Sequence, residues 1–264
     1  MPMTEHPGYQ DLHRFTGKVV VVTGSSSGIG AQIAARFAEA GAAVVLNANQ
    51  NENGLQQIAK RIDAMGGKVL SVPADISETI GAETLLAETI AKFGRIDVLV
   101  NNAGVQPLKA LMDMDTTEWD FVVGTNLRGT FLCTQQAAKR MIAQGEGGAI
   151  INISSIEAQS PALNHSHYGA SKAGINNFTK ASALELGQYG IRINAVLPGL
   201  IDTGGLEHAW PEGVRRWKQS APLQRTGHGL DVADACLFLA SPAARWITGA
   251  ILPVDGGVLA QQTY

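Results

Sequence analysis

The sequence predicts an α/β fold of the doubly wound type, with one parallel sheet of about seven strands and helices on both of its faces. Short runs rich in β-branched residues alternate with longer segments of helical periodicity along the chain of 264 residues. The first run, KVVVVT at residues 18–23, is apolar throughout, as expected for a strand that helices cover on both faces. No internal repeat or low-complexity segment interrupts the alternation. We therefore expect one domain at residues 16–264, preceded by a polar tail at residues 1–15.

The elements are predicted in chain order. A helix at residues 29–40 follows the first strand and ends at Gly41, and a strand at 44–47 comes next. An apolar face of Leu55, Ile58, Ala59 and Ile62 then indicates a second helix. The remaining strands are predicted at 68–72, 97–101, 149–154, 192–197 and 251–254. The remaining helices are predicted at 82–93, 117–143, 168–186 and 231–240.

Composition and charge narrow the classes of function. The net charge is −3 and no run of Lys or Arg occurs, so we expect no nucleic-acid partner. No window of 18 consecutive apolar residues occurs, and the first sixteen residues lack the apolar core of a secretory signal. We therefore expect no membrane association and a cytoplasmic location. Cys133 and Cys236 lie in apolar stretches that favour buried, inert thiols, and the histidines lack metal-ligand spacing, so no metal site is predicted.

A glycine-rich turn, TGSSSGIG at residues 23–30, lies between the first strand and the first helix. Gly24, Gly28 and Gly30 permit a tight turn in which backbone amides approach a pyrophosphate at the helix N-terminus. The three serines add hydroxyl donors and are expected to cap the helix. The turn lacks the Gly-Lys-Ser/Thr of an ATP-binding loop, so it predicts a dinucleotide rather than ATP.

Further motifs follow in order: NNAG at residues 101–104, Asn126, Ser155, Tyr168-x-x-x-Lys172 and Pro198-Gly199. Together with the glycine turn they resemble the short-chain dehydrogenase/reductase family over roughly residues 15–258. Within that family the chain looks nearest to the glucose 1-dehydrogenase and 3-oxoacyl carrier-protein reductase types. The resemblance implies a Rossmann-like fold and an NAD(P)-dependent oxidoreductase that interconverts an alcohol and a carbonyl by hydride transfer.

Tyr168 and Lys172 are four residues apart in a helical segment, so their side chains share one face. A phenol with a pKa of about 10 is a weak base at neutral pH, and we expect the nearby ammonium to lower that pKa. The pair is then a candidate general acid/base. The resemblance implies that Ser155 binds the reacting oxygen, that Lys172 also bonds the nicotinamide ribose, and that Asn126 holds a water of a proton relay.

The resemblance also implies a set of cofactor contacts. Asp75 and Ile76 correspond to the pair beside adenine, residues 102–104 to the adenosine side, and residues 198–203 to the carboxamide side. The full set is Gly24, Ser26, Ser27, Gly28, Ile29, Gly30, Asn47, Asn49, Asp75, Ile76, Asn102, Ala103, Gly104, Tyr168, Lys172, Pro198, Gly199, Ile201 and Thr203.

The choice between the two nicotinamide cofactors depends on the end of the second strand. NAD users commonly carry an acid there, and this chain has Ala48. No Arg or Lys stands nearby to bind a 2′-phosphate, and Ser27 occupies a place where NADP users often carry a basic residue. Asn47 and Asn49 suit either cofactor. We favour NADP, with use of NAD left open.

The substrate is expected to be polar. A loop at residues 203–222 is predicted to act as a lid, with Gly204-Gly205 as its hinge and Trp210 as its cover. Gln106 and Glu157 each lie two residues beyond a site motif. With Ser155 and Tyr168 they are the candidate substrate contacts, and they favour a hydroxylated molecule such as a sugar or polyol.

Two alternatives stay open. One is reduction of a 3-oxoacyl or other ketone substrate. The other is a non-catalytic, cofactor-sensing regulator on the same fold, a role that would typically lose Tyr168 or Lys172, whereas both are present. The resemblance further implies a homotetramer, for which small and apolar positions on the helices at 117–143 and 168–186 offer packing surfaces.

Overall fold

The computed structural model describes Gly8 and residues 12–260, so most of the predicted tail at 1–15, and the end of the chain at 261–264, lie outside the described residues. Packing of the domain begins at Phe15. Its ring is buried and meets Phe37 edge-on with the ring centroids 5.0 Å apart. Its backbone N–H donates to the carbonyl of Ala40 at 2.9 Å. Phe15 therefore ties the start of the domain to the end of its first helix.

The elements alternate along the chain as the sequence predicts. The strands are β1 (Val19–Val22), β2 (Ala43–Ala48), β3 (Lys68–Pro73), β4 (Val98–Asn101), β5 (Gly148–Ile153), β6 (Ile191–Pro198), β7 (Ile201–Asp202), β8 (Gly227–His228) and β9 (Ile251–Val254). The helices are α1 (Gly28–Glu39), α2 (Glu52–Ala64), α3 (Thr79–Phe93), α4 (Thr116–Val123), α5 (Gly129–Gln144), α6 (Ser166–Leu186), α7 (Leu206–Ala209), α8 (Pro211–Ser220) and α9 (Gly229–Ala240).

The main sheet has seven strands in the order β3-β2-β1-β4-β5-β6-β9, and every pairing in it is parallel. The predicted doubly wound parallel sheet is thereby confirmed. The strand order reverses between β1 and β4, and in such sheets a ligand binds at the carboxyl ends of the strands beside that reversal. A separate parallel pair, β7 with β8, lies beyond the end of β6.

Two apolar layers cover the faces of the sheet. Val20 and Val22 of β1 pack into a cluster with Phe37 of α1 and Leu239 of α9, while Val21 belongs to a second cluster on the opposite face. Successive side chains of a strand point to opposite faces, so burial on both sides requires an uninterrupted apolar run. This explains why β1 consists of four consecutive valines. None of the described helices is long and apolar enough to cross a membrane.

The stretch expected to be helical at residues 117–143 is helical from Thr116 to Gln144, but it is not one regular α-helix. Two α-helices, α4 and α5, occupy that stretch, and a π-helical turn at Gly124–Arg128 joins them. The side chain of Asn126 within this turn is buried and bonded to the backbone of Val105, and its own carbonyl accepts from the hydroxyl of Thr130. The contacts with Val105 are non-local, so sequence periodicity does not reveal the widened turn.

The predicted lid at residues 203–222 is largely helical. Gly204 and Gly205 have φ of 120° and 80°, in the region that glycine tolerates best, and the short helix α7 and the helix α8 follow them. Pro211 begins α8, where its missing N–H costs no helical hydrogen bond. The ring of Trp210 packs against Gly213 so closely that no β-carbon would fit there.

Candidate active site

A cavity of about 930 Å³ opens at the carboxyl ends of β4, β5 and β6 and extends beneath α8. It brings together residues from segments far apart in the sequence. The predicted site residues that line it are Ile29, Asn102, Gly104, Gln106, Ser155, Glu157, Tyr168, Lys172, Pro198, Gly199, Ile201 and Thr203. Trp210, Arg216 and Trp217 line it from the lid side. The cavity therefore has one wall of cofactor-type residues and another of candidate substrate contacts.

The hydroxyls of Tyr168 and Ser155 meet at the centre of this cavity. Ser155 lies two residues after the end of β5, and its side chain is close enough to that of Tyr168 to lower the pKa of the phenol. The Ser155 oxygen also accepts a hydrogen bond from the backbone N–H of Glu157 at 3.1 Å. Lys172 lies one turn further along α6, with its Nζ 5.6 Å from the centroid of the Tyr168 ring. Two hydroxyls and one amine thus face a common space.

The pKa values of these groups are set mainly by burial. Burial raises the pKa of Tyr168 to about 12; the hydrogen bond from Ser155 acts in the opposite direction, and the charge of Glu157 adds to the increase. Burial lowers the pKa of Lys172 to about 8. The expectation that Lys172 lowers the tyrosine pKa is wrong for the protein by itself. The reason is that desolvation of the phenolate outweighs the attraction of the amine, whose Nζ donates to the carbonyl of Ile153 at 2.8 Å.

Asn126 connects the loop after β4 to α6. Its Oδ1 accepts from the N–H of Val105 at 2.8 Å, and its Nδ2 donates to the Val105 carbonyl at 3.0 Å and to the Ser171 hydroxyl at 3.1 Å. A β-carbon on Gly104 would lie 3.2 Å from Asn126 Oδ1 and 3.5 Å from Lys172 Nζ. Asn126 therefore fixes the backbone of residues 104–105 beside the Lys172 amine.

The glycine turn is held against the end of β4 by paired hydrogen bonds. Thr23 Oγ1 accepts from the N–H groups of Asn102 and Ala103, both at 3.0 Å, and Asn102 Nδ2 donates to the carbonyls of Thr23 and Gly24. Gly24 has φ of 61°, and a β-carbon on it would come within 2.6 Å of Ala103 Cα. Only glycine allows this close approach.

The start of α1 fits a pyrophosphate. Gly28 has φ of 57°, and Gly30 packs so tightly on Gly24 and Asn102 that a β-carbon has no room. Contrary to expectation, Ser27 occupies the N-cap position without a side-chain capping bond to any described residue. The amides of the first helical turn have no partners within a helix, so they can donate to an anion at this position.

After β2 and β3, where the cofactor's adenosine is expected, polar side chains form hydrogen bonds with one another. Asn49 Nδ2 donates to Asp75 Oδ2 at 2.8 Å, and Asp75 Oδ1 accepts from both the N–H and the hydroxyl of Ser77. Asn47 is 1% exposed, and its amide donates to the carbonyls of Val72 and Ala74. The Asn47 amide thus holds the end of β3, which corrects the expectation that it faces a ribose. Ser26, Asn49, Asp75 and Ile76 lie beyond the lining of the 930 Å³ cavity.

A buried polar network beneath the site was not predicted. Asn101 Nδ2 donates to Thr134 Oγ1 at 2.9 Å and to Asn152 Oδ1 at 2.8 Å, and Asn152 Nδ2 donates to Thr179 Oγ1 at 2.9 Å. The network joins β4 and β5 to α5 and α6. Asparagines that end otherwise apolar strands were the available signal, because a buried amide needs partners.

Sequence reasoning also missed how the substrate-side residues are joined. Glu157 accepts a hydrogen bond from Gln106 Nε2 at 2.9 Å through Oε1, and its Oε2 lies 2.8 Å from Nδ1 of His165. His165 lines the cavity, and its ring centroid is 5.7 Å from that of Tyr168. Within the described residues, no group of three or more His, Cys, Asp or Glu side chains is placed to hold a metal ion.

Comparison with known proteins gives a consistent result. Residues 24–259 match the family model described as enoyl-(acyl carrier protein) reductase. The chain is 42% identical to L-rhamnose 1-dehydrogenase (NAD(P)(+)) of Azotobacter vinelandii, covering 91% of this chain and 96% of the relative. It is 40% identical to 3-oxoacyl-[acyl-carrier-protein] reductase of Synechocystis, covering 92% and 98%. The structure of a short-chain type dehydrogenase/reductase from Mycobacterium marinum superposes with a TM-score of 0.91 at 36% identity, covering 96% of this chain and 100% of that one.

The glycine turn after the first strand and the adjoining cavity lined by Tyr168, Ser155 and Lys172 fit the class of nicotinamide-dependent oxidoreductases. The chain belongs to the short-chain dehydrogenase/reductase family. It is an NAD(P)-dependent enzyme that interconverts an alcohol and a carbonyl, as its family membership and its relatives show.

Proposed function

We propose that the enzyme oxidises a hydroxyl of an uncharged sugar or polyol, and reduces the corresponding carbonyl in reverse. The observation that carries this is the carboxylate of Glu157, which lines the same cavity as Ser155 and Tyr168. Gln106 and His165 hold that carboxylate. A carboxylate accepts hydrogen bonds from hydroxyl groups and disfavours an acidic or apolar substrate. The relatives named L-rhamnose 1-dehydrogenase, 42% and 39% identical, support a sugar.

The protein's own part of the reaction is positioning and proton transfer. The nicotinamide, when bound, accepts the hydride from the substrate carbon during oxidation. Ser155 holds the substrate oxygen by a hydrogen bond, and Tyr168 removes its proton or returns it during reduction. Lys172 would bond the nicotinamide ribose, and Asn126, beside the Lys172 amine, would hold the relay that passes the proton to solvent.

Residues of the glycine turn and of the cavity lining would also bind the cofactor. The amides at the start of α1, with Ser26, Ser27 and Ile29, would hold the pyrophosphate. Residues 102–104 and Asp75-Ile76 would line the adenosine, and residues 198–203 the carboxamide. The Gly104 position supports this, because it leaves room beside Lys172 Nζ that a side chain would fill.

We favour NADP over NAD, since β2 ends at Ala48 rather than at an acid, and the carboxylate of Asp75 is bonded to Asn49 and Ser77. A 2′-phosphate would then meet no acidic side chain at Ala48, where NAD users commonly carry one. The test is kcat/KM for one substrate with each cofactor. A preference for NAD of tenfold or more would overturn this choice.

The substrate class is tested with a panel of aldoses, polyols, simple secondary alcohols and β-ketoesters, followed by NAD(P)H absorbance. We expect the highest kcat/KM for an uncharged aldose or polyol. Activity confined to β-ketoesters would support the second candidate, a 3-oxoacyl or other ketone reductase. That candidate is favoured by the 40% identity to the Synechocystis enzyme and by Trp210 and Trp217, which give the cavity an apolar rim.

Assembly as a homotetramer is part of the proposal. Several large apolar side chains are exposed on the surface of the subunit. Phe121, Phe131 and Leu184 lie on α4, α5 and α6, and Trp246, which is 97% exposed, lies just before β9. Burial of such surfaces between copies stabilises an oligomer. Sedimentation that shows only monomer would contradict the proposal.

We place the enzyme in the cytoplasm. Both cysteines, Cys133 and Cys236, are free and buried, and burial raises the pKa of each thiol, so neither needs an oxidising compartment. Cell fractionation with an antibody against the native protein tests this location, and recovery outside the cytoplasmic fraction would refute it.

A further inference from the structure

Three side chains from three separate segments meet on the substrate wall of the cavity. Gln106 comes from the loop after β4, Glu157 from the 3-10 helix Ile156–Ala158 that follows β5, and His165 from the residue before α6. Each oxygen of the Glu157 carboxylate has a different partner: Gln106 Nε2 at 2.9 Å and His165 Nδ1 at 2.8 Å. The carboxylate is therefore fixed in both position and direction.

The fixed carboxylate still has unused acceptor capacity. A carboxylate offers about four lone-pair directions on its two oxygens, and the protein uses one on each oxygen. About two remain, one on each oxygen. The side chain of Glu157 keeps 15% of its surface exposed, and that of His165 keeps 12%. Both residues line the cavity, so the remaining acceptors can reach a bound molecule.

The carboxylate lies beside the reacting groups. The N–H of Glu157 donates to Ser155 Oγ at 3.1 Å, and the ring of His165 lies 5.7 Å from the ring of Tyr168. A substrate whose reacting oxygen meets Ser155 and Tyr168 therefore lies in the same cavity as Glu157.

The backbone supports the position of His165. Asn164, the residue before it, has φ of 63°, which asparagine tolerates better than most residues, and its carbonyl accepts from the N–H of Lys109 at 2.9 Å. The carbonyl of His165 in turn accepts from the N–H of Gly169 at 2.8 Å. The imidazole is thus held at the start of α6, which also carries Tyr168.

We propose that Glu157 is a clamp for two neighbouring hydroxyl groups beside the reacting carbon, and that Gln106 and His165 are positioning residues that orient its carboxylate. The substrate class is then a vicinal diol in an uncharged ring or chain, such as an aldose with free hydroxyls next to the carbon that is oxidised. This inference rests on the proposed function and makes it more specific. Ordering of the carboxylate before binding favours affinity, because less freedom is lost when the diol binds.

The test compares substrates that differ by one hydroxyl. D-glucose is measured against 2-deoxy-D-glucose, and L-rhamnose against its 2-deoxy analogue, with wild type, Glu157→Gln, His165→Phe and His165→Gln. For wild type we expect kcat/KM to be roughly 10- to 100-fold higher for the hydroxylated member of a pair. Glu157→Gln should remove most of that ratio by raising the KM for sugar, with the KM for cofactor unchanged.

His165 is tested as a positioning residue through the same ratio. His165→Phe should reduce the discrimination about as much as Glu157→Gln, and His165→Gln, which keeps a donor for the carboxylate, should restore part of it. Glu185→Gln, an exposed change on α6, is the matched control and should leave both substrates unaffected. A structural role alone would lower activity on both members of each pair equally.

The possible results distinguish failure of the clamp from failure of the proposed function. Oxidation of sugars with the same discrimination in Glu157→Gln as in wild type overturns the clamp and leaves the proposed function intact. Equal loss on both members of each pair also overturns it. Activity on β-ketoesters with none on any sugar or polyol overturns the proposed function itself, and the clamp with it.

Discussion

The amine of Lys172 lies 5.6 Å from the centre of the Tyr168 ring, and burial moves the pKa values of the two groups in opposite directions. The pKa of Tyr168 rises to about 12 and that of Lys172 falls to about 8. At neutral pH the protein therefore holds a protonated phenol beside a mostly charged amine. This combination is ready to donate a proton, as reduction of a carbonyl requires.

Removal of the Tyr168 hydroxyl should abolish turnover and preserve cofactor binding. Tyr168→Phe keeps the ring packed in the cavity but removes the oxygen that exchanges a proton with the substrate and pairs with Ser155. We expect kcat to fall by roughly 100-fold or more and the Kd for NADP, measured by fluorescence, to stay within about twofold. Tyr189→Phe, at an exposed tyrosine, is the matched control. Retention of more than about a tenth of wild-type activity would defeat the assignment of Tyr168.

The pH dependence of reduction should report the Lys172 amine. Because the folded-state pKa is about 8, the ammonium is present below that pH and is lost as pH rises through it. We expect kcat/KM for reduction to fall above about pH 8, since this ratio reports groups of the free enzyme. Lys172→Arg keeps a cation at all these pH values and should remove the fall, even if its activity is lower.

The control for this profile is Lys180→Arg, an exposed change on the same helix that should leave the curve unmoved. An unchanged fall near pH 8 in Lys172→Arg would show that another group controls it.

Gly30 should be essential for cofactor binding at the glycine turn. A β-carbon there would collide with the carbonyl of Gly24 and the amide of Asn102, which hold the turn against β4. We expect Gly30→Ala to weaken cofactor binding by tenfold or more, equivalent to about 1.4 kcal/mol, while the circular dichroism spectrum is kept. Gly187→Ala, at a helical glycine with open space around it, is the control. Unchanged cofactor affinity in Gly30→Ala would contradict the role of the turn.

The sequence was sufficient to predict the parallel sheet, because strands buried on both faces must be apolar throughout, as β1 is. The sequence was also sufficient to predict the residues at the centre of the cavity, because Tyr168 and Lys172 share a helical face and Ser155 follows a strand. The glycine turn was placed for the same reason: its function depends on local spacing between β1 and α1.

What the sequence did not reveal depends on contacts between distant segments. The π-turn at Asn126 follows from bonds to Val105, and the pairing of Gln106 with Glu157 joins residues 51 positions apart. The direction of the Tyr168 pKa depends on how deeply the phenol is buried, which spacing to Lys172 does not measure. Asn47 looked free to bind a ribose, whereas its amide is bonded to Val72 and Ala74.

His167 should limit stability in acid. Its side chain is fully buried, and among the described residues neither ring nitrogen has a hydrogen-bond partner. Burial lowers the pKa of His167, the charge of His165 acts in the same direction, and Glu118, which is paired with Lys109, opposes them. The unfolded chain therefore binds a proton more readily than the folded protein, so stability should fall as pH drops below the ordinary histidine pKa of about 6.5.

Replacement of His167 by leucine removes two unpaired polar atoms and the proton-binding group. We expect His167→Leu to raise the free energy of unfolding by about 1 kcal/mol at pH 7.5, since a buried polar group without a partner costs about 1–3 kcal/mol. The gain should be larger at pH 5.5, where the unfolded wild type binds the extra proton. Urea unfolding at both pH values measures this, with His208→Leu, an exposed change, as the control. A gain that shrinks between pH 7.5 and pH 5.5 would show that His167 finds a partner for its charge in the folded protein.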